Sequence, residues 1–577
     1  EHGGMTARFY RDGPKFMIET EGGDGVRRPY EVVGVAGIDP LQQYLLSPEP
    51  GRTQVFDIAW DVIKKAWYPV FPDQDAFPGN GFHWTGPYKS WEARCAECHS
   101  TGYTRNYDAT TRTYAPKMTE IGVGCEACHG PGSSHIAWAE DPSTPAKIDD
   151  LSAFALTADL GKSQSAEVQQ CLTCHSLREA MADGNPIPGT AYGNAFSLSL
   201  LRQGIYHADG SIQSEAFEGG SFLQSKMFAK GVRCSNCHEV HSASLVAEGN
   251  AVCTQCHSPA GNPDFPSLPL KVFDGPEHHF HPEGSPGAQC VSCHMIERTF
   301  MGIDTRRDHS FRIPRPDLAS TGSPDACTDC HTDKTAAWAA AELEMRFPDS
   351  MHRGPHYATT FSVARQSPET QVQALLAIAE WDGPAIVRAT ALELLEQVGH
   401  QASAGRVSQL LVDPDPIVRS AAAGALRGIP PDERLQRLLP VLNDPMRSVR
   451  VAAAKALLDA TAIEPGSEAA ASLSAALLEW QQMLQTNSDF PETHLQIGGA
   501  ALTMRNWQVA SQAFQEAVSL DPQLEPAWTM IVRILAATGD TEGAKSALVQ
   551  ALKYNPKSQA LFDMQAELGL PLVPPSP

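Results

Sequence analysis

The sequence predicts a mainly α-helical chain in three parts: a small β-rich N-terminal segment, a loop-rich middle and a C-terminal α-solenoid. Three observations carry this. Polar and apolar residues alternate near the start. A Cys-x-x-Cys-His motif recurs through a middle that is rich in Gly and Pro. Helical periods of 31 and 34 residues organise the last third.

Residues 1–90 contain no cysteine. The runs Ala7-Arg8-Phe9-Tyr10 and Lys15-Phe16-Met17-Ile18-Glu19-Thr20 alternate as strands do, and Gly22-Gly23 break the pattern. Pro72, Pro78 and Pro87 with Gly79, Gly81 and Gly86 mark a loop leading to Trp91.

Residues 91–350 form the second domain and hold the motifs. These are Cys95/Cys98/His99, Cys125/Cys128/His129, Cys171/Cys174/His175, Cys234/Cys237/His238, Cys253/Cys256/His257, Cys290/Cys293/His294 and Cys327/Cys330/His331. They use all 14 cysteines. A zinc site does not need a histidine after every second cysteine, and a disulfide framework does not need a two-residue gap every time. The pattern is that of haem c, in which two thiols take up the vinyl groups and the next histidine ligates the iron. Seven covalent haems are therefore expected. First cysteines lie 30, 46, 63, 19, 37 and 37 residues apart, with few sustained helical periods between them. Such a segment has too little ordinary core to fold alone, so the apolar faces of the haems must supply the buried surface. The expectation is a loop-rich multihaem domain with short helices at the motifs, unfolded without haem.

Residues 365–465 read as HEAT-like helical pairs. Ile386-Val387-Arg388-Ala389, Ile417-Val418-Arg419-Ser420 and Ser448-Val449-Arg450-Val451 recur every 31 residues, with Asp413-Pro414 and Asp444-Pro445 breaking the chain between helices. Residues 466–577 read as tetratricopeptide-like repeats. His494, Ile497, Gly498, Ala510, Phe514 and Ala517 stand 34 residues before Trp528, Ile531, Val532, Ala544, Leu548 and Ala551. The tail Pro571–Pro577 is expected to fray. A solenoid of this kind offers a surface for protein docking or self-association, or else caps the domain beside it.

Thirteen of the 20 histidines remain as candidates for the second face of each iron. His135, His241, His278, His279, His281, His309, His352 and His356 lie close to motifs, while His83 and His207 precede the first and fourth. His400 and His494 fall in the repeats and read as surface or packing residues. In CHEVH, His241 is three residues beyond His238 and cannot fold back over the same ring, so it is expected to reach a neighbouring haem. Met227 and Met295 are the rival ligands and would raise the potential.

The net charge of −23 argues against nucleic acid and favours a basic redox partner protein. No run of about 18 apolar residues spans a membrane. Thioether formation requires export, so a periplasmic or extracellular cell-surface location is expected, with any export signal absent from a chain that starts at Glu1.

The runs WEARCAECHSTGYTRNYD and GVGCEACHGPGSSH resemble the multihaem cytochromes related to the tetrahaem electron carrier of ammonia oxidation. SFLQSKMFAKGVRCSNCHEVHS with AVCTQCH is similar to the doubled-CXXCH family, and the whole resembles bacterial multihaem cytochromes that carry tetratricopeptide repeats. The resemblance implies electron transfer. It also implies a further CXXCH upstream of Glu1, hence an eighth haem on a missing N-terminal piece, to which His2 would belong.

Three functions fit. One is an electron carrier with mostly bis-histidine haems; a second is a reductase or oxidase of small nitrogen or sulfur compounds at one open haem; a third is a subunit of an extracellular conductive assembly. No CXXCK occurs, which weighs for the carrier and against a catalyst. Tyr206, His207, Lys226 and Arg233, or Arg306, Arg307 and Asp308, are the polar groups expected near an open haem.

Overall fold

The computed structural model describes residues 6–74, 76–141, 154–399, 401–460 and 463–569. His2, His400 and the tail Pro571–Pro577 lie outside the described residues.

The N-terminal segment is one antiparallel meander of six strands: β1 (Arg8–Asp12), β2 (Lys15–Glu21), β3 (Arg27–Ala36), β4 (Leu41–Glu49), β5 (Arg52–Asp61) and β6 (Ala66–Pro69), paired in sequence order. The alternating runs fall on β1 and β2. Their two-residue turn places Gly13 at φ +57°, a conformation that costs glycine little. Ile18, Tyr30, Leu46, Phe56 and Ile58 pack one face of the sheet around the buried Trp84, whose indole N–H donates to the Glu21 carbonyl at 2.8 Å. β5 is buried along most of its length because the loop leading to the first motif crosses its other side, with Gln54 bridging to Ser90 and donating to the Gly86 carbonyl.

The middle is short helices and two-stranded ribbons joined by loops. Between Ala216 and Ala339 the only buried apolar side chains are Ala288, Pro316 and Leu318, while Val240, Leu245, Val246, Leu270 and Val272 are exposed. This stretch of the polypeptide has almost no core of its own.

The C-terminal part is helical throughout. In the first array Arg388, Arg419 and Arg450, the arginines of the 31-residue period, each reach a carboxylate of the next unit: Asp413 at 2.5 Å, Asp444 at 2.8 Å and Glu479 at 2.5 Å. The periodic arginine is thus an inter-repeat tie. In the second array Ala510, Phe514 and Ala517 are buried, as are their counterparts Ala544, Leu548 and Ala551. Gly498 lets its helix approach the Phe514 ring, which an added Cβ would meet at 2.5 Å.

The arrays are fused to the middle rather than tethered to it. Leu200, Leu201, Tyr206, Ile212 and Ala216 share one hydrophobic core with Phe361, Leu375, Leu392 and Leu426. Further along, Arg105 pairs with Asp489 at 3.1 Å, Tyr114 donates to the same carboxylate at 3.0 Å, and Tyr88 donates to Asp521 at 2.7 Å. Among the described residues no helix is long and apolar enough to cross a membrane.

Candidate haem centre

The missing core of the middle corresponds to one continuous cavity of about 2530 Å³. An ordinary small-molecule site holds about 300–1,000 Å³. Twelve of the 14 cysteines line this cavity, all but Cys95 and Cys125, as do His99, His175, His238, His257, His294 and His331.

Each motif is wound as a single turn. His99, His175, His257 and His331 donate their backbone N–H to the carbonyl of their motif's first cysteine at 3.2, 2.9, 2.9 and 2.8 Å. Cys125–His129 and Cys290–His294 are short α-helices. A helical turn brings residues three apart to one face, so both thiols of a motif address the same object. Motif four differs: Cys234–Asn236 tightens to a 3₁₀ turn, and His238 pairs with Leu245 in a ribbon.

No cysteine is joined in a disulfide, and among the described residues no three His, Cys, Asp or Glu converge as a structural zinc site requires. The histidines are arranged differently, in facing pairs. The rings of His129 and His241 stand 6.4 Å apart between centroids and 16° from parallel; His238 and His309, 6.3 Å and 29°; His278 and His294, 6.2 Å and 9°; His281 and His331, 6.0 Å and 37°. Direct ring stacking would be much closer. Two metal–nitrogen bonds of about 2.0–2.1 Å, plus about 1.1 Å from each nitrogen to its ring centre, give about 6.3 Å. The residues present therefore fit haem, with room for an iron between each facing pair.

Comparison with known families agrees. Residues 85–130 match "Cytochrome c554 and c-prime" and residues 226–262 match the doubled CXXCH motif. Residues 372–477 match HEAT repeats and residues 501–568 the tetratricopeptide repeat. The chain is a multihaem c-type cytochrome with C-terminal helical repeats. Covalent haem c and electron transfer in general come with that assignment. No curated protein matches the cytochrome.

The other candidate histidines of the cytochrome face no proximal ring at this spacing. His135 is within 2.7 Å of the Phe154 carbonyl through Nδ1 and stacks near Trp138. His279 and His352 line the cavity; Nδ1 of His279 accepts from the His281 N–H at 3.1 Å, and Nδ1 of His352 is 3.4 Å from Lys226 Nζ. His356 caps the helix Tyr357–Ala364 by accepting from the Ala358 N–H, and burial together with Arg312 lowers it to about 4. The backbone of His207 closes a turn with Ser211. His83 is fully buried behind the β-sheet, 2.8 Å from Thr85 Oγ1. Among the described residues, His99, His175 and His257 have no imidazole opposite them at that distance.

Met227 and Met295 both line the cavity. The first polar group does not converge: Tyr206 lies in the core shared with the helical arrays, Lys226 is beside His352, and Arg233 reaches the Gly161 carbonyl. In the second, Arg306 pairs with Glu215 at 2.7 Å, Arg307 with Glu297 at 3.1 Å, and Asp308 accepts from the Ile212 N–H.

Thiols of different motifs are neighbours. Cys98 lies beside Cys174, Cys171 beside Cys234, and Cys253 beside Cys290. Cys128 lies near Cys171 and Cys174, Cys237 near Cys256, and Cys293 near Cys330. Motif three thus lies beside motifs one, two and four, and motifs four to seven follow in line.

Sequence reasoning missed Glu218, whose Oε2 stands 3.0 Å from His175 Nδ1. Burial opposes charge on this carboxyl, and the hydrogen bond with His175 favours it. Nothing in the run Phe217-Glu218-Gly219-Gly220 signals it except two glycines that permit close approach.

Proposed function

We propose that each of the seven motifs holds one covalent haem c and that the cytochrome passes electrons along them, with four irons ligated by two histidines each. Facing imidazoles at 6.0–6.4 Å are the observation that carries this reading. A haem iron bound there supplies a one-electron couple. The protein does the rest. The paired thiols fix each porphyrin edge, His129, His238, His294 and His331 serve as proximal ligands, and His241, His309, His278 and His281 as distal ones. His241 then belongs to motif two although it follows motif four by three residues, which ties those two segments together. An iron with two strong histidine ligands would leave no position for a substrate, as electron transfer without chemistry requires.

Electrons enter or leave at motif one, two or seven, the ends of the line of thiol neighbours. The helical arrays brace the haem segment on one side and offer their remaining surface to a basic redox partner or to another copy of the chain. An exported location, periplasmic or at the cell surface, follows from thioether formation.

A second reading is favoured by His99, His175 and His257, which face no imidazole among the described residues: one of these three haems is open and reduces or oxidises a small molecule. One set of measurements on the holoprotein tests both. A pyridine haemochrome assay giving seven haems per chain, with every haem low-spin by electron paramagnetic resonance, supports the carrier. A persistent high-spin signal supports the open site. Fewer than seven haems defeats the count.

A further inference from the structure

The partner of His175 Nδ1 sets motif three apart. A ligating histidine normally donates its second N–H to a neutral carbonyl or to a carboxylate, and the choice governs how strongly the other nitrogen donates to the metal. His294 follows the first pattern, standing 2.7 Å from the Arg312 carbonyl. His175 follows the second, 3.0 Å from Glu218. Among the described residues no other motif histidine pairs with a carboxylate. His241, which is not a motif histidine, lies 3.4 Å from Glu239, and that carboxylate is 48 % exposed against 30 % for Glu218, so water screens it more.

The backbone holds Glu218 in place. The Gly219 N–H donates to the His175 carbonyl at 2.8 Å. A Cβ at Gly219 would meet that carbonyl oxygen at 2.7 Å and Leu172 Cδ2 at 2.4 Å, and one at Gly220 would meet the Tyr206 hydroxyl at 2.1 Å. The segment is clamped between motif three and the core shared with the helical arrays, so the carboxylate cannot withdraw without disturbing both. Motif three is also joined to three others: Arg178, three residues beyond His175, pairs with Glu97 of motif one at 3.0 Å, Gln170 donates to the Ala127 carbonyl of motif two at 3.1 Å, and the Ser235 N–H of motif four donates to Glu167 at 2.7 Å.

We propose that Glu218, through its hydrogen bond with His175 Nδ1, holds the haem of motif three at a lower reduction potential than its neighbours and so controls passage through the junction of the haem chain. The inference rests on motif three carrying haem as proposed above. A carboxylate acceptor gives the imidazole part of the character of its anion, which strengthens donation to the iron and favours the ferric over the ferrous state. A fixed negative charge close to the metal acts in the same direction. Oxidising or reducing that haem moves one electron and leaves the His175–Glu218 pair in place.

The test is a spectropotentiometric titration of the holoprotein, wild type against Glu218→Gln, which keeps the shape and removes the charge, and Glu218→Asp, which keeps the charge on a shorter arm. Haem content and a mass of the peptide bearing Cys171 and Cys174 are measured for each. The expected result is that one of the seven one-electron steps moves to higher potential in Glu218→Gln, less so in Glu218→Asp, while the other six stay. An unmoved titration with a haem-loaded motif-three peptide overturns the tuning role and leaves the attachment reading intact. A motif-three peptide without haem in the wild type overturns both. If Glu218→Gln does not accumulate, the comparison of Glu218→Asp with wild type decides, and an unshifted step counts against the proposal.

Discussion

His278 and His294 lie 9° from parallel with their centroids 6.2 Å apart, although sixteen residues and a bend at Phe280 separate them. Phe273 and Phe347 both pack against the His278 ring in T-shaped contacts, at 5.4 and 6.0 Å between centroids. Replacing His278 by alanine is expected to convert one haem from low-spin to high-spin while the total haem content stays that of the wild type. Electron paramagnetic resonance with a haemochrome assay reads both quantities. His279→Ala, one residue on, is expected to change neither.

Motif six should also be a folding element. Because Ala288, Pro316 and Leu318 are the only buried apolar side chains between Ala216 and Ala339, little else nearby can take over the burial that a haem would provide. The double change Cys290→Ala/Cys293→Ala is expected to remove one haem and to cost more than the about 2–5 kcal/mol of a large-to-small core substitution. Hydrogen exchange is expected to accelerate across residues 250–300 and to remain slow in the helix Pro416–Ala425, whose core is built mostly by the neighbouring helices of the array.

Much of this was legible in the sequence, for identifiable reasons. The haem motif is local in the chain, so seven copies are readable without a structure. The repeats are readable because Arg388, Arg419 and Arg450 do the same task at each step. Strands β3 to β6 fall within the β-rich segment that the sequence marks but are not individually readable in it: β5 is buried on both sides and lacks alternation, and irregular register between β3 and β4 near Val32 and Gly34 disturbs the period. The facing of His278 with His294 or His241 with His129 depends on how loops fold around a cavity, and proximity along the chain selects His135, His352 and His356 equally well. Glu218 was invisible for the same reason, since it lies 43 residues from His175.

The inter-repeat ties should behave as buried ion pairs. Arg419 and Asp444 are each about nine-tenths buried, and Arg419 also donates to the Asp413 carbonyl at 2.8 Å. Removing one partner strands the other charge, which costs about 3–5 kcal/mol. Arg419→Met is expected to destabilise the first helical array by roughly that amount in chemical denaturation followed by circular dichroism, with the haem count unchanged. Arg437→Met, which removes a more exposed pair with Glu433 within one helix, is expected to cost under about 1 kcal/mol.

His83 gives the β-segment a pH dependence. It is fully buried, and burial followed by the nearby Lys89 lowers it from 6.5 to about 4. Lys89 itself is held 2.8 Å from Asp57, so the cation that disfavours a second charge stays in place. Between pH 6.5 and about 4 the unfolded chain binds a proton that folded His83 does not, so stability is full above 6.5 and falls as the solution is acidified. The slope is about 1.4 kcal/mol per pH unit once well inside that window. Denaturant midpoints of the holoprotein measured from pH 7 to pH 5 are expected to drop, and His83→Gln is expected to flatten that part of the profile. A wild-type profile already flat over this range would mean that His83 carries no such penalty.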